Sequence, residues 1–143
     1  MIGVVLFTHG SVASALRDTA ETILGPLPGF GAVDLPADSD RETAWAALDG
    51  AVRAVDKGDG VLLLVDMFGG TPSNLALARL AEQDAEVLTG VNLAMVLRAA
   101  RKRAELPLAS LAQDVLAYGR RNVTASAGWL RTPPTVERSG GAP

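Results

Sequence analysis

The chain has 143 residues, 48% hydrophobic and 20% charged, with a formal net charge of −3, a profile of one globular domain with a sizeable core. A mildly acidic chain without a basic stripe argues against nucleic acid or anionic membrane as a main partner. The lack of cysteine excludes disulfides, thiolate metal sites and cysteine nucleophiles.

The opening segment, MIGVVLFTHG, reads as a first strand and not as a signal peptide. Its apolar stretch Ile2–Phe7 fits a strand buried on both faces, as in a parallel sheet, and ends at Thr8-His9-Gly10. Ser11 is a candidate cap for a helix running to about Leu24, with Val12, Leu16, Thr19 and Ile23 recurring at helical spacing. Gly25-Pro26 and Pro28-Gly29 punctuate its end. A second strand is expected over Phe30–Leu35. A second helix follows from about Arg41 to Asp56, with Trp45, Leu48, Val52 and Val55 on one stripe.

Val61–Val65 is the most apolar strand and is expected to be central; it is also far short of the ~20 residues that span a bilayer. Asp66 ends it, and Gly69-Gly70-Thr71-Pro72 leads into a helix from Pro72 to about Gln83. Ala85–Thr89 is a fourth strand, and Gly90-Val91-Asn92 opens a helix over about Leu93–Arg103. Leu106-Pro107 restarts the chain into a last helix ending near Tyr118-Gly119, and Asn122–Ala125 is a candidate short fifth edge strand. The domain is taken as residues 1–125, with 126–143, rich in Pro, Gly and Ser, as a flexible tail. The alternation implies an α/β three-layer sandwich, with a mainly parallel four-stranded sheet covered by helices on both faces.

In such sheets ligands bind beyond the carboxyl ends of the strands, at a switch in strand order. Thr8-His9-Gly10-Ser11, Asp66 with Gly69 to Asn74, and Gly90-Val91-Asn92 all gather at that edge if the strands are parallel. Gly69-Gly70 permits close ligand approach. Thr71 as N-cap and Pro72 at the first helical position leave the N–H groups of Ser73 and Asn74 at a positive helix start, an anion site. His9, the single histidine, could attack phosphorus with one ring nitrogen while the other donates to Asp66. A simple capped turn, a turn aspartate and a satisfied core histidine are the bland alternatives, and each is reasonable in isolation. One histidine without cysteine or a carboxylate cluster disfavours a metal, and THGS lacks the glycine spacing and lysine of nucleotide loops.

At these residues the chain resembles the mannose-type enzyme IIA family of the bacterial phosphoenolpyruvate-dependent sugar phosphotransferase system. The matching segments are GVVLFTHGSVASAL at 3–16, VLLLVDMFGGTPSNLAL at 61–77 and GVNLAMVL at 90–97 within about residues 1–123, with DMFGGTPSN the specific one. The resemblance implies a cytoplasmic phosphotransferase component. It would take phosphate on His9 from the histidine phosphocarrier HPr and pass it to a IIB protein or domain, with Asp66 as partner carboxylate and no metal or organic cofactor. It also implies a hydroxyl role for Thr71, and a homodimer that in many members exchanges a fifth strand. The candidate phosphate-binding residues are Gly10, Gly70, Thr71 and Ser73. Ala94 stands where many members carry proline, and the chain from Ser126 has no clear counterpart. Two other readings are a regulatory module switched by phosphorylation at His9, and a receiver-like domain phosphorylated on Asp66. The second lacks the acidic residues after strand one that would hold magnesium.

Overall fold

The computed structural model describes residues 1–67, 69–80 and 84–131. Strand β1 (Gly3–His9) is followed by α1 (Val12–Leu24), β2 (Phe30–Leu35), α2 (Arg41–Val55), β3 (Val61–Val65) and α3 (Thr71–Leu80). Then come β4 (Ala85–Leu88), α4 (Leu93–Lys102), α5 (Leu108–Arg121) and α6 (Ser126–Arg131). The four strands form one parallel sheet in the order β2-β1-β3-β4.

Strand alternation divides the core in two. Val4, Leu6, Leu62 and Leu64 face α1, α4 and α5, where they meet Ala13, Ala20, Met95, Val96, Ala99, Leu111 and Val115. Val5, Phe7, Leu63 and Val65 face α2 and α3 and meet Leu48, Val52, Leu75 and Ala76. These are the expected three layers. Right-handed crossovers explain the sides: the chain moves one way from β1 to β2 and the other way from β2 to β3 to β4, so α1 lies opposite α2 and α3. The reversal falls between β1 and β3.

Four expectations change. The buried residues of α1 are Ala13 and Ala20, whereas Val12 and Ile23 are 43% and 52% exposed. The helix therefore packs chiefly on its small residues, which lets it approach the sheet closely, with Leu16 of the expected stripe packed partly buried against the same core while Val12 and Ile23 turn outward. In α2, Ala44 joins Leu48, Val52 and Val55 in the core, while Trp45 is only half-buried. Residues 122–125 join no strand, so the sheet has four strands among the described residues. Ser126–Arg131 forms α6 where composition suggests a flexible tail; positions 132–143 lie outside the described residues, as does the expected α3 terminus at Gln83.

The amino edge of the sheet is held by a buried cation. Arg103, which caps α4, is 7% exposed, donates to the carbonyls of Ile2 at 3.2 Å and of Pro28, and lies over the Phe30 ring at 4.8 Å. A Cβ on Gly29 would stand 2.6 Å from Arg103 Nη1, so this turn keeps glycine to admit the guanidinium. No helix among the described residues is long and apolar enough to cross a membrane.

Gly3 lies at the start of the central strand with no room for a side chain, because a Cβ would meet the Val55 carbonyl oxygen and Cγ2 at 2.7 Å. Backbone cannot move aside as a side-chain tip can. Gly3→Ala is therefore expected to lower unfolding stability by about 1–3 kcal/mol in urea titration, the usual cost of overpacking.

Candidate functional site

His9 is the last residue of β1, and Asp66 directly follows β3. Phe7 and Val65 are register partners, so the two residues leave the sheet side by side at its carboxyl edge, in the cleft where strand order reverses. Alternation sends Thr8 toward the α1 layer and His9 toward the α2–α3 layer.

Asp66 grips His9 twice. Its Oδ2 accepts the His9 backbone N–H at 3.0 Å and lies 2.8 Å from the ring Nδ1, while Oδ1 accepts the Met67 N–H at 3.0 Å. Burial pulls the Asp66 carboxyl upward in pKa, but the hydrogen bonds from the His9 ring and amide outweigh it and hold it below the ordinary aspartate value. An ionised carboxylate only accepts, so Nδ1 carries a proton, and in the neutral ring Nε2 then presents its lone pair. The His9 side chain is 45% exposed and that of Asp66 19%, which leaves the imidazole open and its partner shielded.

Gly70 forms the other wall. A Cβ there would stand 2.7 Å from His9 Cε1 and 3.1 Å from Nε2, so only glycine lets α3 begin against the ring. The helix starts one residue earlier than its sequence suggests: Thr71 is its first residue, and the Gly70 carbonyl accepts the Asn74 N–H at 3.0 Å. Thr71 is thus not the N-cap, and the Asn74 amide is engaged within the helix. The first-turn N–H groups of Thr71 and Ser73 have no partner inside the helix, and no acidic side chain occupies that turn. Ser73 itself is buried, and its Oγ accepts the Gly69 N–H at 3.4 Å.

Other expected pieces take different duties. The Gly10 N–H donates to the Leu35 carbonyl at 2.9 Å, and its φ of 53° marks a turn position that suits glycine. Ser11 stands at the N-cap of α1 but makes no side-chain cap bond. Two residues that sequence reasoning passed over cap that helix instead: Thr8 Oγ1 accepts the Ala13 N–H at 2.7 Å, and Asp34 accepts the Ser14 N–H at 3.0 Å and its hydroxyl at 2.5 Å. The clue was a threonine and an aspartate closing two apolar strands at matched positions. Asn92 caps α4 through the Met95 N–H at 3.0 Å, and the Val91 N–H ties that loop to the Val65 carbonyl at 2.9 Å. Among the described residues no three His, Asp or Glu side chains gather as a metal site.

Residues 3–116 match the family model EIIA-man, described as the fructose IIA component of the PTS system. The chain belongs to this family. It is similar to the mannose-specific EIIAB component of the PTS system of Escherichia coli (strain K12), at 33% identity over 99% of this chain and 43% of that protein. The chain therefore spans less than half the length of that relative. The fructose-specific EIIA component of Bacillus subtilis (strain 168) is 31% identical over 96% of this chain and 95% of its own. Among solved structures, the mannose/sorbose specific IIA subunit from Enterococcus faecalis superposes with a TM-score of 0.79 at 27% identity, covering 87% of this chain and 93% of that one. The EIIA-man chain described here carries its mutually bonded His9 and Asp66 inside the matched segment.

The lowered pKa of Asp66 makes its contribution pH-dependent. A carboxylate with a depressed folded-state pKa adds stability above its unfolded value, and that stability is lost as pH falls through the folded one. The stability difference between wild type and Asp66→Asn should thus shrink on acidification below about pH 4, followed by thermal melts across pH.

Proposed function

We propose that His9 accepts a phosphoryl group on Nε2 from phosphorylated HPr and passes it to a IIB protein or domain, as a cytoplasmic carrier of the sugar phosphotransferase system. The observation that carries this reading is the 2.8 Å contact between His9 Nδ1 and Asp66 Oδ2, which leaves Nε2 as the nucleophilic nitrogen at an open edge. Family membership supports a role in that system, and the E. coli relative, named as an EIIAB component, supports a B component as acceptor.

The chemistry balances without a cofactor. A nitrogen–phosphorus bond forms at Nε2 as the bond to the donor's ring nitrogen breaks, and the donor ring keeps that electron pair. Nδ1 retains its proton, so the phosphorylated ring is cationic. The Asp66 carboxylate opposes that charge, as an aspartate opposes an imidazolium in a catalytic triad. Gly70 keeps Nε2 against the first turn of α3, where the Thr71 and Ser73 amides and the Thr71 hydroxyl can meet the phosphoryl oxygens. Gly10 serves through the turn its positive φ permits, since its amide is engaged with Leu35. Transfer to the acceptor runs through the same steps in reverse.

The test is incubation with phosphoenolpyruvate, enzyme I and HPr, followed by mass analysis. One acid-labile phosphate on His9 is the expected product, and His9→Gln should gain none. Asp66→Asn should slow uptake roughly hundred-fold or more, the scale of lost tautomer control. Phosphate on another residue, or none in the wild type, overturns the reading. Gly70→Ala should keep the fold yet slow uptake by about ten- to hundred-fold, because its methyl displaces the ring by a fraction of an ångström to an ångström.

A further inference from the structure

We propose that Thr8 is a positioning residue for phosphoryl acceptance: its buried hydroxyl locks the His9 main chain to the first turn of α1. This rests on His9 being the acceptor. Thr8 is fully buried, and its single hydroxyl makes two bonds in opposite senses. It accepts the Ala13 N–H at 2.7 Å and donates to the His9 carbonyl at 3.2 Å.

A cap alone does not require this arrangement. Ser11 already occupies the N-cap of α1 with a side chain of the preferred type, yet it makes no cap bond. The bond comes from the strand instead, and that choice joins two elements rather than finishing one. Asp34, the register partner of Thr8 on β2, secures the next amide of the same turn, at Ser14. The helix start is thereby pinned to both strands beneath it.

The consequence reaches the imidazole through the backbone. Asp66 fixes the His9 N–H and ring Nδ1 from the β3 side. Thr8 holds the His9 carbonyl, and the adjoining Gly10 N–H is held by Leu35 at 2.9 Å. The peptide plane after His9 is therefore fixed at both its polar atoms. Without the hydroxyl, that plane keeps one tether and the Ala13 amide loses its partner. The ring then keeps its bond to Asp66 but swings about it, so Nε2 samples positions away from the α3 first turn. Thr8 touches no reacting atom and leaves the chemistry of Nε2 unchanged.

The experiment compares wild type, Thr8→Val, Thr8→Ser and Thr8→Cys in rapid-quench phosphorylation by phosphorylated HPr, with thermal melts confirming folding. Valine preserves shape without the hydroxyl. Expected is a roughly ten-fold lower rate at saturating donor, below the hundred-fold that a full ångström of misplacement can cost, with the KM for donor within about two-fold of wild type. Serine should restore the rate to within about two-fold. If valine prevents folding, cysteine, whose thiol is a weak donor and acceptor, should show the same slowing. A wild-type rate in the folded valine or cysteine variant, a serine variant no faster than valine, or a change confined to KM overturns the proposal. A wild type that gains no phosphate on His9 overturns instead the reading of His9.

Discussion

The hydrogen bond between His9 and Asp66 depends on one constraint, the parallel pairing of β1 with β3. The two residues are 57 apart in sequence and meet because both strands end at the same edge. An antiparallel pairing would send them to opposite ends of the sheet. A charge-assisted hydrogen bond contributes about 1.5–3 kcal/mol net, little beside the burial of Val4 to Phe7 and Val61 to Val65 at about 1.5–3 kcal/mol for each such side chain. The sheet therefore places the pair, and the pair does not hold the sheet. That ordering leaves Asp66 free to serve the imidazole rather than the fold.

Alternation along β1 does the remaining sorting. Consecutive residues Thr8 and His9 enter opposite layers, so one engages α1 and the other faces α3. The two helix starts that flank the cleft then differ in electrostatic character. The α1 start is answered internally by a hydroxyl and the carboxylate of Asp34, which opposes its positive end. The α3 start begins with Thr71-Pro72-Ser73 and no acid, so its field remains directed outward.

Most of the architecture was legible because the apolar runs were short, unbroken and separated by amphipathic stretches. Their positions gave the order of elements, and the parallel rule then placed His9 and Asp66 together. Asp66 was legible as a polar residue that ends an apolar run. What escaped was governed by contacts between elements. The apolar spacing of α1 suggested Val12 and Ile23 as core, but close packing against β1 and β2 selected Ala13 and Ala20. Capping rules chose Ser11 and Thr71 from their local sequence. The tertiary structure supplied the α1 cap from a strand and began α3 one residue early against the ring. The importance of Gly70 could be read only as generic freedom, since the distance to His9 Cε1 exists only in three dimensions.

The two ends of the sheet are built on different terms. At the amino edge, Arg103 stitches Ile2, Pro28 and Phe30 together with a single cation sunk in the fold. At the carboxyl edge, the described residues bonded around His9 and the α1 start contribute amides, hydroxyls and the carboxylates of Asp66 and Asp34. The molecule thus separates the Arg103 knot from the His9–Asp66 pair along the length of each strand. Substitution of the exposed side chains around His9 therefore leaves the knot around Arg103, at the opposite end of the same strands, untouched.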